Sequence, residues 1–166
     1  MRRLISMAVL VALALALSVL EMSLPLPFVA PGAKLGLSNI VLLLAIVLFP
    51  FREAFMIAVI KPFVLMLVTG SVTSLIYSMA GSILSCLVMV FAYRYLSHWF
   101  SLTGVSVLGS VAHNFAQITV AALILNNFWM YGYLPLLVLI GIGTGIFVGL
   151  TTEYLTNHLR RLKLNL

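Results

Sequence analysis

The composition of this 166-residue chain excludes a water-soluble fold. Hydrophobic residues make up 64% of the sequence and charged residues 7%, whereas soluble domains carry about 45–50% apolar and 25% charged residues. Nine Lys and Arg against three acidic residues give a net charge of +6. The basic residues lie at the ends of apolar segments, which is typical of a membrane protein and not of a nucleic-acid-binding surface. A single cysteine, Cys86, excludes a disulfide framework.

Apolar runs separated by charged or turn residues predict six transmembrane helices in one domain that covers residues 1–166. The predicted helices cover residues 4–24, 38–49, 54–69, 71–95, 103–125 and 133–157. The second is short, because a membrane-spanning helix needs about 20 residues. The expected fold is an all-α integral membrane bundle.

The first helix carries a stripe of small residues, Ala8, Ala12 and Ala16. A spacing of four residues places them on one face, where small side chains let two helix backbones approach closely. Packing inside the bundle and docking of another membrane protein both explain this stripe. Because no small-x-small cleavage site follows the run, we interpret it as a retained helix and not as a signal peptide.

The loop before the second helix contains a polar, glycine-rich stretch that reads PGAKLGLSN from Pro31 to Asn39. Its glycines permit tight backbone turns, and Ser38 or Asn39 can cap the start of the helix. With Lys34 nearby, this helix N-terminus is a candidate anion-binding site. A simple helix cap beside a surface lysine is the alternative interpretation.

Lys61 lies inside the third helix and is followed by Pro62. It lies about 12 Å along the helix from Glu53, too deep for an easy exit to the cytoplasm. Pro62 leaves a backbone carbonyl in need of another donor. Lys61 is therefore expected to face a substrate, a phosphate or that carbonyl. Snorkelling or structural pairing is the alternative.

The fifth helix contains His113, Asn114 and Gln117, and residues 113 and 117 share a face. Polar groups within a bilayer are costly and usually face the bundle interior or a watery cavity. These side chains therefore predict either part of a binding site or a polar clasp between helices. A metal site needs more His, Cys or carboxylate ligands than the chain offers, so none is expected.

Polar side chains are also predicted at the outer ends of the helices. Thr69 and Ser71 flank the tight break at Gly70, and Asn126 follows the fifth helix. The aromatic residues around Trp129 form either an interfacial belt or a lid over a ligand. We predict that these groups, together with the polar residues of the first loop and the fifth helix, line one outward-facing pocket.

The sixth helix carries a second stripe of small residues, Gly141, Gly145 and Gly149. We interpret it as a surface for close helix packing inside the bundle.

The distribution of basic residues predicts the orientation of the bundle. With the N-terminus inside, the following residues fall on the cytoplasmic side: Arg2, Arg3, Arg52, Arg94, Arg160, Arg161 and Lys163. Lys34 falls outside, and Lys61 lies within a helix. Both termini are therefore expected in the cytoplasm, which requires an even number of spans.

The stretch from Pro31 to Val41 resembles the signature of the bacterial Gx transporter family, often labelled heptaprenyl diphosphate synthase component I. Further stretches of the chain fit the same family. They are Lys61 with Thr69-Gly70-Ser71, Ser78-Met79-Ala80-Gly81-Ser82 with Ser85 and Met89, and Ser106 to Gly109 with His113-Asn114 and Gln117. The resemblance covers nearly the whole chain.

This family is similar to the substrate-binding S components of energy-coupling factor transporters. The resemblance implies a six-helix protein of the bacterial inner membrane, with both termini cytoplasmic and a ligand pocket near the outer face. It also implies docking to a transmembrane coupling protein served by two ATPase subunits. The stripe at Ala8, Ala12 and Ala16 matches the docking pattern of S components. The residues expected to bind substrate are Lys34, Asn39, Lys61, Thr69, Ser71, His113, Asn114, Gln117 and Asn126.

The enzyme label of the family conflicts with the composition of this chain. Prenyl diphosphate synthases of the usual kind hold magnesium and diphosphate with aspartate-rich motifs, whereas this chain contains no Asp and its Glu21, Glu53 and Glu153 lie at different segment ends. Magnesium needs hard oxygen ligands such as carboxylates. We therefore expect no catalytic activity and no cofactor.

A solute-binding role, an accessory role and a purely structural role, as a membrane partner with no ligand, remain open at this point. The first is a solute-binding subunit of an energy-coupling-factor-like importer, with an isoprenoid, quinone precursor or flavin-like molecule as ligand. The alternative is a non-catalytic membrane accessory subunit of a heptaprenyl diphosphate synthase or a menaquinone-synthesis system.

Overall fold

In the computed structural model, residues 2–23 and 36–161 are described, and every regular element in these ranges is helical. The helices are α1 (Arg2–Met22), α2 (Asn39–Leu48), α3 (Phe51–Thr69), α4 (Val72–Tyr95), α5 (Leu102–Ile124) and α6 (Leu134–Arg161). A short 3-10 helix, Phe128–Tyr133, leads into α6. The all-helical fold and the number and approximate bounds of the predicted long helices are confirmed.

Four segments are long and apolar enough to cross a membrane, which indicates a multi-pass membrane protein. They are Leu4–Met22, Val72–Tyr95, Leu102–Ile124 and Phe128–Leu159. The helix α3 carries Arg52, Glu53 and Lys61, and α2 is only ten residues long. Six membrane crossings and cytoplasmic termini therefore stay predictions.

The short helix α2 lies at the centre of the bundle. It contacts each of the five other long helices, and its residues from Asn39 to Ile46 are all buried. Ten residues of α-helix rise about 15 Å, roughly half of a 30 Å hydrocarbon core. The C-terminus of α2 lies at one end of the bundle, just before α3 begins. The N-terminus of this half-length helix therefore lies near the middle of the bundle. This central position explains why the second predicted span is so short.

The glycine stripe of α6 packs against the backbone of α5. A methyl group added at Gly145 would lie 2.6 Å from the Cα atom of Val107, and one at Gly149 would lie 2.5 Å from the Cα atom of Thr103. Such distances are far shorter than carbon–carbon contacts of about 3.5–4.0 Å. The prediction that this stripe packs inside the bundle is confirmed.

The alanine stripe of α1 has the opposite environment. Ala8, Ala12 and Ala16 are exposed, whereas the inward face of α1 buries Met7, Leu10, Ala14, Ser18 and Glu21. Among the described elements, α1 packs only on α2 and α3. Internal packing therefore does not explain the alanine stripe.

Among the described side chains, Arg52, Arg94 and Arg161 lie toward one end of the bundle, here called the basic end. The guanidinium carbon of Arg94, near the end of α4, lies 5.9 Å from the ring centroid of Phe51 at the start of α3. The last turns of α6, which ends at Arg161, lie beside the end of α4, because Thr156 of α6 and Tyr93 of α4 line the same cleft. Thr69, Ser71 and Asn126 lie at the other ends of their helices and hence at the opposite end of the bundle.

Candidate functional site

A tight turn, Gly36 to Asn39, precedes α2 and places polar groups at its buried N-terminus. The backbone N–H of Asn39 donates to the carbonyl oxygen of Gly36 at 2.9 Å. Gly36 has a φ of +81°, a left-handed conformation that favours glycine. A methyl group there would lie 3.0 Å from Nδ2 of Asn39 and 3.8 Å from Cδ2 of His113. The glycine therefore lets the turn, Asn39 and His113 come together.

The carboxamide of Asn39 is the most unusual group of this cluster. Asn39 is 1% exposed, and neither Nδ2 nor Oδ1 has a hydrogen-bond partner among the described residues. A buried polar group without a partner costs about 1–3 kcal/mol, so native proteins rarely contain one without a reason. Asn39 does not cap α2 through its side chain, contrary to one sequence-based expectation.

Two buried charged side chains, one from α1 and one from α3, hold the turn. The carboxylate of Glu21, near the end of α1, accepts a hydrogen bond from the backbone N–H of Gly36. Lys61, in the middle of α3, donates from Nζ to Oγ of Ser38 at 2.9 Å. Ser38 occupies the N-cap position but makes no capping hydrogen bond, so the expected serine cap is also wrong. Its hydroxyl accepts the hydrogen bond from Lys61, and this contact agrees with the structural-pairing interpretation of Lys61.

His113, in the middle of α5, packs into a notch in α4 that is made by Gly81. A methyl group at Gly81 would lie 2.6 Å from Cε1 of the His113 ring. The same antiparallel pair brings Gly109 of α5 against Ser85 of α4, because a methyl group at Gly109 would lie 3.2 Å from Oγ of Ser85. The two helices therefore meet closely from Gly81 to Ser85 of α4 and from Gly109 to His113 of α5.

Serine hydroxyls extend this polar seam along both helices. The buried serines are Ser78, Ser82 and Ser85 on α4 and Ser106 and Ser110 on α5. The Oγ atoms of Ser82, Ser85, Ser106 and Ser110 have no hydrogen-bond partner among the described residues. In the sequence, the α4 serines stood out through the family resemblance, and Ser110 was missed. The spacing of 106, 110, 113 and 117 along one helical face was the available signal.

The other two polar residues of α5 are also buried. Asn114 donates from Nδ2 to the carbonyl oxygen of Leu137 on α6 at 2.8 Å, so it makes the predicted polar clasp between helices. Its Oδ1 atom has no partner among the described residues. Gln117 is 2% exposed and lies one turn beyond His113 on the same face. The structure therefore brings Asn39 and His113 together, and Gln117 lies on the same face of α5 as His113.

The outer-end candidates make local contacts. Thr69 donates from Oγ1 to the carbonyl oxygen of Leu65 at 2.8 Å, and Oγ of Ser71 accepts from the backbone N–H of Ser74 at 3.1 Å as the cap of α4. Asn126 is exposed with a φ of 46°. Lys34 lies outside the described residues. A common pocket that joins these residues to Asn39 stays a prediction.

Sequence reasoning missed Glu21 as a member of the site. This residue is 3% exposed, and its contact with Gly36 bridges 15 positions of the chain. A carboxylate at the end of an apolar run was the available signal, because such groups are rarely buried without a partner. Glu21 and Lys61 thus supply one formal charge of each sign beside the turn.

The outer surface of α1 forms an apolar groove of about 410 Å³ with α3. The groove is lined by Leu4, Met7, Ala8, Val11, Ala12, Leu15, Met56 and Ile60. Two alanines of the exposed stripe therefore form part of a concave surface, which larger side chains border.

A second cleft, of about 220 Å³, lies at the basic end of the bundle. It is lined by Val47, Tyr93, Leu102, Glu153, Thr156 and Asn157.

A family model described as heptaprenyl diphosphate synthase component I matches residues 10–155 of the chain. This match covers every long helix at least in part. Comparison with curated proteins and with solved structures gave no match.

Proposed function

The chain belongs to the heptaprenyl diphosphate synthase component I family, and we propose that it acts not as an enzyme but as the solute-binding subunit of an energy-coupling-factor-like importer in the bacterial cell membrane. The observation that carries this proposal is the buried Asn39 carboxamide, which has no hydrogen-bond partner among the described residues. A bound solute would satisfy this group and offset its desolvation.

The position of the cluster supports solute capture. Asn39 begins a half-length helix at the centre of the bundle, and His113 lies midway along α5. Irregular backbone at membrane depth is tolerated where it is buried in protein or lines a cavity, and polar residues there commonly mark substrate pathways. Because Glu21 and Lys61 hold the turn at Gly36, its polar groups would be fixed in position for a solute.

The exposed alanine stripe supports docking of a transmembrane coupling protein. Ala8 and Ala12 line the groove between α1 and α3, and Ala16 continues the same exposed face. A partner helix can approach the backbone of α1 closely there, as at other small-residue interfaces in membranes. Two ATPase subunits bound to the coupling protein would supply the energy, because the chain contains no phosphate-binding loop.

The distribution of carboxylates supports a non-catalytic role. Glu21 lies beside the turn at Gly36, whereas Glu53 is in the first turn of α3 and Glu153 lines the cleft at the basic end. With no Asp in the sequence, these residues do not provide the paired carboxylates that a magnesium–diphosphate site needs.

Copurification from the native membrane tests this proposal. We expect the tagged protein to copurify with a transmembrane coupling protein and its ATPases, and Ala12→Leu to lose these partners. Ala14→Leu is not a suitable control because Ala14 is fully buried; Ala80→Leu, at a partly exposed position of α4, provides one. Retention of the partners by Ala12→Leu, or their absence from the wild-type preparation, would contradict the proposal.

The family description favours a second candidate, a non-catalytic membrane accessory subunit of a heptaprenyl diphosphate synthase or a menaquinone-synthesis system. The cleft that Tyr93, Glu153 and Thr156 line at the basic end would then receive the soluble enzyme. Copurification of a prenyl diphosphate synthase, with no ATPase, would favour this role. Loss of that enzyme in Glu153→Arg would assign the contact to the cleft.

A further inference from the structure

We infer that the solute is a neutral molecule that presents an adjacent N–H and C=O group to Asn39, as the edge of a lactam or imide ring does. This inference rests on the proposed solute-binding function and names its substrate class. We argue it from three features: the charges beside the turn at Gly36, the carboxamide of Asn39 and the nearby serine hydroxyls.

The first argument is the charge of the site. Among the described residues, Glu21 and Lys61 are the charged side chains that contact the turn, and each donates or accepts a hydrogen bond there. They carry one negative and one positive formal charge. An anionic solute would place a second negative charge near the Glu21 carboxylate, and burial of an uncompensated charge is costly. The cluster therefore favours a neutral solute over a phosphate or diphosphate.

The second argument is the donor and acceptor pattern of Asn39. A carboxamide presents an N–H donor beside a C=O acceptor, and both atoms of Asn39 lack partners among the described residues. A solute edge with one acceptor and one donor side by side satisfies both at once. The same complementarity lets asparagine bind the edge of adenine with two hydrogen bonds.

This pattern excludes two solute classes that the sequence left open. A quinone offers carbonyl acceptors but no N–H donor, so Oδ1 of Asn39 would stay unsatisfied, and a diphosphate has the same defect. Leaving a buried acceptor without a donor costs about 1–3 kcal/mol, which corresponds to about a 5- to 150-fold loss of affinity. Among the candidate ligands, a flavin-like ring carries an imide.

The seam between α4 and α5, to which His113 belongs, adds neutral hydrogen-bonding groups. The hydroxyls of Ser82 and Ser110 lie on the faces of α4 and α5 that meet at the His113–Gly81 contact, and both are buried without a partner among the described residues. Hydroxyls both donate and accept, so they suit the remaining carbonyl and N–H groups of a polar ring and contribute no charge.

Binding measurements with matched probes test the substrate class. The full chain in lipid nanodiscs is titrated with riboflavin, whose ring carries an imide, and with 3-methylriboflavin, in which a methyl group replaces the imide N–H. Farnesyl diphosphate and menadione represent anionic and acceptor-only solutes. We expect riboflavin to bind, methylation to weaken it at least about tenfold, and the other two probes not to bind. Asn39→Leu should abolish riboflavin binding, and the matched control Asn157→Leu should not.

The outcomes separate this inference from the proposed function. Binding of farnesyl diphosphate or menadione that Asn39→Leu abolishes would overturn the substrate class and leave solute binding intact. Riboflavin binding that survives Asn39→Leu, or no riboflavin binding at all, would also overturn the class. If none of the probes binds and the purified protein carries no small molecule, both the class and the proposed function fail.

Discussion

Replacement of Asn39 by leucine should stabilise the solute-free protein and abolish solute binding. The side chain is 1% exposed, and both amide atoms lack hydrogen-bond partners among the described residues. Most substitutions in a packed core destabilise a protein. A gain of stability at this position would therefore be diagnostic of a polar group that is kept for a ligand and not for the fold.

The change in the free energy of unfolding of Asn39→Leu follows from two opposing contributions. Removing a buried donor and a buried acceptor that lack partners relieves about 1–3 kcal/mol for each group. Leucine has the same branched shape but is larger, and added bulk in a packed core typically costs about 1–3 kcal/mol. The two groups together account for about 2–6 kcal/mol, so the free energy of unfolding should rise by about 2 kcal/mol once the packing cost is subtracted. For a chain of this size, each kcal/mol raises the melting temperature by about 2–4 °C.

Thermal unfolding in detergent, with and without the solute, checks this prediction. Asn39→Leu should melt at a higher temperature than the wild type in the absence of solute and should show no further rise when solute is added. The control Asn157→Leu, at an exposed position of α6, should change stability by no more than about 0.5 kcal/mol. A loss of more than 1 kcal/mol in Asn39→Leu would refute the reasoning, because the carboxamide would then make structural hydrogen bonds.

Three other substitutions test the fold, the site and the docking surface. Gly145→Ala should destabilise the protein by about 1–3 kcal/mol, because the new methyl group would lie 2.6 Å from the α5 backbone. The control Gly143→Ala should not destabilise it, because a methyl group there meets nothing within 4 Å. Chemical unfolding of the two variants tests this difference. Gly81→Ala should weaken solute binding at least about tenfold while the protein still folds, since its methyl group displaces the His113 ring; unchanged affinity in a titration would remove His113 from the site. Ala12→Leu should leave the melting temperature within about 2 °C of the wild type, and a larger drop would mean that the exposed stripe supports the fold.

The sequence was sufficient to predict the helices but not the role of α2. Charged and turn residues such as Arg52 and Gly70 mark the ends of the apolar runs, so the long helices follow from hydropathy. A helix buried on every side has no polar face, and its apolar run is the same whether it spans the membrane or ends halfway. The central position of α2 depends on contacts with all five other long helices, which no local pattern encodes.

The candidate site was predictable only where it follows helical spacing. His113 and Gln117 share a face because they are four residues apart, and the buried seam on α5 extends that face. The contact of Glu21 with Gly36 joins residues 15 positions apart, near the end of α1 and before the start of α2, so no periodicity reveals it. Thr69 and Ser71 were grouped with the site by polarity alone, whereas their hydroxyls bond to nearby backbone groups, as such residues commonly do at helix ends.

Native mass spectrometry of the protein released from its own membrane tests solute capture at Asn39 most directly. The account predicts a retained small molecule, seen as a single added mass on the wild-type protein and on Asn157→Leu but not on Asn39→Leu. A wild-type protein that carries no added mass, or an added mass that Asn39→Leu retains in full, would contradict it.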